Sequence, residues 1–398
     1  MALSPSEPVS SEKQLLIACA RTAAAPPVVD EIRRLCASPL DWEFVVSEAA
    51  VNSILPLVAR QIAAVAADLA PPSQLDRLTK AARANALRCL TLTAELLEII
   101  NLLRALSIQA MPYKGPIIAA QAYGDVAVRE FEDLDLIVRQ RDMGRVDDLV
   151  KRLGYRPNHA WVFDSTASSA VVPGEYDYRD EARWMFVEFH TEFTLRHFPV
   201  RPDLDEMSRR LVTVNLCGHE VPTFAPADMI QLLCVHGAKD FWERLSWIAD
   251  ISEFIRSQPR LDWDVVFGRA AELRTRRMVN IGLALAHELL GAPLPIGIAA
   301  LVRNDRMAAA VAKEIAEGHR RRKPRERGAA ERLQFRRRMV AGAFAGLRYA
   351  VRLTTQPADE DGMAMRLPRP LAPLYAVLRP LRLWREYRPG AGRSEHET

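Results

Sequence analysis

The sequence predicts an α+β fold, a short group of strands enclosed by helical layers before and after it. Three observations carry this. Apolar residues recur at three- and four-residue spacing from Gln14 to about Leu106, the period of a helix. Between Ile108 and Phe224 the period falls to two in several short runs bounded by Gly, Pro and Asp. From Met229 to about Leu290 the helical period returns.

Residues 1–13 are polar and Ser/Pro-rich, and are expected to be disordered. Helical runs follow over Val28–Leu35, Phe44–Val65 and Leu75–Leu106, with Asp41 placed to cap the second and Pro71-Pro72 breaking the chain before the third. The long third run is expected to turn Leu87, Leu90, Leu92, Leu96, Leu97, Ile100 and Leu103 inward. Ile108–Tyr113 reads as a strand that stops at Lys114-Gly115, and Ile117–Tyr123 as a short helix with Pro116 in its first turn, where the missing N–H costs nothing. Asp133-Leu-Asp135 runs into apolar Leu136, Ile137 and Val138, a buried strand with an acidic start.

A helix over Met143–Leu153 ends at Gly154, and Ala160–Val172 reads as a Ser/Ala-rich loop or hairpin. Tyr176–Arg179 and Trp184–Phe193 read as strands, and the second carries Glu188 and His190 on one face. Val212–Leu216 and Glu220–Phe224 read as a hairpin joined by Cys217-Gly218-His219. Helices are expected over Met229–Lys239, Glu243–Arg256, Val265–Leu273 (capped from Asp262-Trp-Asp264) and Met278–Leu290. Beyond them lie an arginine-rich run, His319–Arg327, a helix over Leu333–Leu353, a loop at Pro357–Asp361 and a Pro/Arg-rich Pro368–Trp384. The resulting division is a tail at 1–13, a helical layer at 14–106, a core at 107–225, a helical domain at 226–318 and a basic extension and tail at 319–398.

Composition narrows the class. In 398 residues, 49% are hydrophobic and 26% charged, an ordinary globular balance, and a net charge of +4 is too small to establish a nucleic-acid partner. The five cysteines, Cys19, Cys36, Cys89, Cys217 and Cys234, form no Cys-x2-Cys pair, so reduced thiols are expected rather than zinc or a disulfide framework. No apolar run approaches the roughly 20 residues of a membrane span, and the N-terminus has no basic lead-in to a secretory signal. A cytoplasmic protein is the expectation.

The chemistry concentrates in 111–138. Residues two apart on a strand share a face, so Asp133 and Asp135 stand side by side, an unfavourable pairing unless a cation lies between them. Divalent metal is the natural answer, because Mg²⁺ takes carboxylate and phosphate oxygens together. The strand, Gly-bearing turn and helix start at Lys114-Gly115-Pro116 suit an anion. As ordinary strand-start residues in a turn, Asp133 and Asp135 would need none of this.

Lys114, Gly115, Tyr123, Arg129, Asp133 and Asp135 together resemble the bacterial branch of the DNA polymerase β-type nucleotidyltransferase superfamily that reads K-G, then Tyr, then R-x3-D-[LI]-D. The wider superfamily has Gly-Ser where this chain has Lys-Gly-Pro, and usually a shorter gap before the acidic pair. The run Val187-Glu188-Phe189-His190 resembles that branch's third acidic strand, and His236 to Asp250 its helical partner region, so the likeness spans roughly residues 30–295. It implies a small mixed sheet with helical layers on both sides. It also implies Mg²⁺-dependent transfer of NMP from an NTP, with ATP as the default, to a hydroxyl-bearing acceptor.

Asp133, Asp135 and Glu188 would be the catalytic acids and hold two Mg²⁺ ions, with Glu188 helping to deprotonate the acceptor. Lys114, Gly115, Arg129 and His190 would meet the nucleotide. Each has a plainer reading: a surface salt bridge for Glu188, a satisfied strand histidine for His190, a stem covering apolar surface for Lys114, an ion pair with the acids for Arg129. Tyr123 reads as core, and His236, Lys239, Asp240 and Arg244 as either the far wall of the nucleotide site or a buried network between domains. The acceptor stays open between a small molecule and a macromolecule such as a protein or tRNA. The alternative is a non-catalytic module of the same fold, binding RNA, protein or a membrane surface through its basic C-terminal third.

Overall fold

The computed structural model describes residues 9–159, 174–192, 203–322, 329–340, 351–353, 355, 361, 367 and 369–387. The expected Ala160–Val172 loop lies outside them, as does most of 341–366.

Five helices come first: α1 (Ser11–Cys19), α2 (Pro26–Cys36), α3 (Trp42–Val51), α4 (Leu55–Val65) and α5 (Pro72–Ala105). The expected disordered tail is corrected at its end. Ser10 caps α1 by accepting from the Lys13 N–H, and Lys13 and Glu48 form a largely buried ion pair, so 11–13 are helical. Asp41 caps α3 as its sequence position suggests, accepting from the Phe44 N–H at 3.1 Å. The apolar run Phe44–Val65 is divided between α3 and α4 by a turn in which Ser53 adopts a positive φ. In α5, Leu92, Leu96, Ile100 and Leu103 are buried, but Leu87 and Leu90 are 69% and 50% exposed, contrary to expectation. Leu78, Leu92, Leu96 and Leu103 share one face of this 34-residue helix, and Leu87 and Leu90 project from the opposite one.

The sheet follows. Its strands are β1 (Met111–Pro112), β2 (Asp133–Ile137), β3 (Arg156–Pro157), β4 (Glu175–Asp180) and β5 (Met185–His190), in the spatial order β1-β2-β5-β4-β3. Only the β2–β5 pair is parallel, so the sheet is mixed. Between β1 and β2 lie a single α-helical turn, α6 (Pro116–Ile118), and a π-helical turn, Ala119–Tyr123. Helix α7 (Met143–Arg152) joins β2 to β3 and is followed by Gly154 at φ 96°. On one face of the sheet Leu134, Leu136, Val187, Phe189, Tyr176 and Tyr178 are all buried. The Tyr178 hydroxyl donates to Asp147 on α7 at 3.0 Å, and the Tyr155 hydroxyl to Glu95 on α5 at 2.8 Å, which ties the helices to that face.

After a short α8 (Leu204–Ser208), the hairpin β6 (Val212–Leu216) and β7 (His219–Thr223) packs on β1, with the Thr223 hydroxyl donating to the Pro112 carbonyl at 2.7 Å. Helices α9 (Pro226–Lys239), α10 (Leu245–Ser257), α11 (Trp263–Glu272), α12 (Arg276–Leu290), α13 (Ile296–Asn304) and α14 (Arg306–Arg320) form the second helical layer. Asp262 caps α11 through the Val265 N–H. α15 (Ala329–Met339) and α16 (Tyr375–Tyr387) lie in the basic C-terminal part. No helix among the described residues is long and apolar enough to cross a membrane.

Candidate active site

Strand register builds the site. Asp135 on β2 pairs with Glu188 on β5, and Glu188 with Asp177 on β4. Directly opposed residues project to one face, so three carboxylates form a row across three adjacent strands. Two residues along, Ile137, His190 and Glu175 make the next row on that face, and two residues back stand Asp133, Phe186 and Arg179. Apart from Ile137, the buried apolar residues of these strands occupy the alternate positions, so burying them fixes the acids on the other face.

The row is graded. Asp135 is almost fully buried, its side chain 2% exposed, while the side chain of Glu188 is 28% exposed. Lys114 Nζ donates to Asp135 Oδ1 at 2.7 Å, and His190 Nε2 lies 3.0 Å from the same oxygen. Burial alone would raise the Asp135 pKa, but these two cations hold it well below the usual carboxylate range. His190 also approaches Glu188 at 3.4 Å through Nε2 and Glu175 at 3.6 Å through Nδ1. Burial opposes its charge, but Asp135, Glu188 and Glu175 outweigh that and lift its pKa to about 9, so it is an imidazolium at neutral pH.

Asp133 on β2 and Asp177 on β4 have no such hydrogen-bonded cations among the described residues. Burial, then the charges of Asp135 and Glu188, push Asp133 up to about 7. Burial with Glu175 and Glu188 pushes Asp177 to about 6, and its Oδ1 is buried without a hydrogen-bond partner among the described residues.

Two groups could hold a metal ion among the described residues. In Asp135, Glu188 and His190, and again in Glu175, Asp177 and Glu188, the candidate ligand atoms lie within 4.8 Å of one another. Hard carboxylate oxygens with unneutralised charge suit Mg²⁺. Asp133, expected as a ligand, is in neither group, although it stands two residues from Asp135 on the same face and responds to both Asp135 and Glu188.

Lys114-Gly115 sits against the start of β2. Gly115 has φ 47°, and a Cβ there would lie 3.3 Å from the Asp133 carbonyl oxygen, so the bend needs glycine on both counts. The helix start behind it offers less to an anion than its sequence suggests. Pro116 has no N–H, the Ile117 N–H donates to the Lys114 carbonyl at 3.0 Å, and the Ala119 N–H to the Gly115 carbonyl at 3.1 Å. Arg129 does not reach toward the acid row with its guanidinium. It makes two 2.8 Å bonds to the carboxylate of Asp250 on α10, and the Tyr123 hydroxyl donates to the same carboxylate at 2.8 Å. His236 packs edge-on against Trp247 at 5.2 Å, and burial holds its pKa well below the ordinary value.

The family is decided by a match over most of the chain. The model of the uncharacterised nucleotidyltransferase family covers residues 38–291. The chain belongs to that family. A nucleotidyltransferase core of this α+β kind, with its small mixed sheet and helical flanks, is therefore the fold described above. Among solved structures, that of the antibiotic-resistance factor ANT(2'')-Ia is similar at 14% identity, over 47% of this chain and 92% of that one, with a TM-score of 0.32. No curated protein matches.

Sequence reasoning missed Glu175 and Asp177. Their signal was present as the alternation Glu175-Tyr-Asp177-Tyr, in which buried tyrosines mark the inner face and acids the outer. It also missed Asp250 as the partner of Arg129, since a pairing 121 residues apart leaves no local trace.

Proposed function

We propose that this family member transfers NMP from an NTP to a hydroxyl-bearing acceptor, with Asp133, Asp135 and Glu188 as its catalytic acids. The observation that supports it best is the row of carboxylates across β2, β5 and β4, more acidic than its local cations can neutralise. Two Mg²⁺ ions held by Asp133, Asp135 and Glu188 would supply the charge that stabilises the entering and leaving oxygens. ATP is the nucleotide to test first.

Within the protein, Glu188 is partly exposed, as is Asp133, and takes the acceptor's hydroxyl proton. The bond from the acceptor oxygen to the α-phosphorus forms as the bond to the bridging oxygen of the β-phosphate breaks, and pyrophosphate leaves. Lys114 and His190 fix the orientation of Asp135, and Lys114 would be freed to turn toward phosphate when a metal cation replaces it. Gly115 brings the Lys114 backbone against β2. Arg129 acts through Asp250, holding α10 against the loop that precedes β2, and would reach a phosphate only by giving up that pair.

One observation favours the non-catalytic alternative: Asp135 is already neutralised by two protein cations. Incubating the protein with ATP, GTP, CTP or UTP labelled at the α-phosphate, with Mg²⁺ and a cell lysate, decides between them. Label in a small molecule, in protein or in tRNA supports transfer and names the acceptor class. No label together with no Mg²⁺–NTP binding sinks it in favour of the non-catalytic module.

A further inference from the structure

We propose that Lys239 and Arg336 form the subsite for the β- and γ-phosphates of the nucleotide, and for the pyrophosphate released. The second of these comes from a helix that lies beyond the matched residues 38–291. This rests on the nucleotide-transfer reading and extends it to Lys239, within the matched residues, and to Arg336, outside them.

A triphosphate brought to a row of acids needs cations along its tail. The two cations nearest in sequence to the motif are occupied, Lys114 by Asp135 and Arg129 by Asp250. Lys239 is the last residue of α9, half-buried, with no hydrogen bond or ion pair to any described residue. Its charge is felt by Asp177, at the end of the carboxylate row that lacks cations.

The chain then bends sharply. Phe241 and Trp242 adopt φ of 59° and 48°, and the Trp242 N–H donates to the Gly237 carbonyl at 2.7 Å. The indole rests on the bare Cα of Gly237, where a Cβ would meet Nε1 at 2.2 Å, so this turn has one packing. It presents the Phe241 ring to α15. Phe335 meets that ring edge-on at 5.3 Å, and the Arg336 guanidinium lies over it with Cζ 5.1 Å from the centroid.

Arg336 Nε is buried with no hydrogen-bond partner among the described residues. A guanidinium held over an aromatic ring, with a donor unused among the described residues, is preorganised for a phosphate oxygen. Between these cations stands Asp240. Burial raises its carboxyl, while Lys239, Arg336, Lys114 and Arg244 all draw it back, so Lys239, Arg336 and the lysine that touches Asp135 share one neighbourhood.

The test uses the full chain and inorganic tripolyphosphate with Mg²⁺, read by calorimetry. Lys239→Met and Arg336→Met keep their apolar stems against the surface and lose their charge. Each is expected to weaken tripolyphosphate binding about 10-fold, the scale of one lost charged hydrogen bond. Both should leave the thermal midpoint within about 2 °C of the parent. Arg336→Lys should restore part of the binding.

In transfer assays the same variants should raise the KM for NTP and the inhibition constant of pyrophosphate together, with kcat changed less than about 3-fold. Methionine variants that bind tripolyphosphate like the parent, or a parent that binds none, overturn the subsite. Binding that falls as expected in a protein that transfers no label leaves the subsite standing and removes the transferase reading instead.

Discussion

The two ends of the carboxylate row differ in what neutralises them. Asp135 has an ammonium and an imidazolium on one oxygen and is held ionised. Asp177, two strands away on the same face, is pushed toward its neutral form and has an oxygen with no partner among the described residues. Asp135 is the more deeply buried of the two, yet it is the one held ionised, so burial alone does not explain the contrast. Position relative to β1 does, because Lys114 leaves the end of β1 beside β2 and cannot serve β4. One end is a fixed anchor, and the other is charge awaiting a ligand.

Asp135→Asn gives the largest test of that contrast. It leaves Lys114 and His190 buried without their shared anion, at a cost of about 3–5 kcal/mol in urea unfolding. Transfer should fall by about 10³-fold or more, since the acid is proposed to act in the transfer itself. Adding Lys114→Met should recover part of the stability and none of the activity. An Asp135→Asn protein as stable as the parent would break the description of that end as an anchor.

A second saturated cluster, away from the row, gives the next effect. Arg129→Lys replaces a fork on Asp250 with a single point of charge and leaves the Tyr123 hydroxyl with a poorly paired carboxylate. A loss of about 2–3 kcal/mol is expected in the same unfolding measurement. The KM for NTP should change little, because Arg129 is proposed to act through Asp250.

Asp177→Asn should have the opposite sign. Removing a charge that burial, Glu175 and Glu188 all oppose should stabilise the protein by about 1–2 kcal/mol at pH 8 in chelator. If stability falls instead, a cation that the present description lacks already serves that end.

Residues whose partners lie close in sequence, or whose pattern is periodic, were legible before any coordinates. The Asp133–Asp135 strand, the Glu188–His190 strand and the caps at Asp41 and Asp262 are of that kind. What could not be read was the pairing of distant segments. Lys114 with Asp135 and Arg129 with Asp250 are set by strand order and helix docking, which periodicity does not encode. Leu87 and Leu90 show a different limit, because at 100° per residue they fall on the face opposite buried Leu92, Leu96 and Leu103, and apolar content alone does not mark the inward face. The fifth strand's place beside β2 came from the family resemblance and not from periodicity. Only its parallel register with β2 turns Glu188 toward Asp135 rather than toward Leu134.

The smallest expected effect comes from an acid that shares the strain of the uncompensated end but lies outside both metal-capable groups. Glu130 is pushed up to about 7 by burial first and by Glu132, with Arg244 and the Leu55 N–H, which donates to it at 3.3 Å, pulling the other way. Below pH ~4.5 the group is neutral folded and unfolded, and contributes nothing to pH dependence. Between ~4.5 and ~7 the unfolded chain releases the proton while the folded one retains it, so stability falls as pH rises, and above ~7 the penalty is constant. Glu130→Gln keeps an acceptor for the Leu55 N–H and removes the titration. Its stability relative to the parent should therefore grow from about zero at pH 4.5 to about 1 kcal/mol at pH 8, less than the full shift implies because the carboxyl is partly exposed and solvent screens it. Parallel urea midpoints across that range would mean that Glu130 is solvated in the folded state, and that burial near this sheet does not by itself hold a carboxyl neutral.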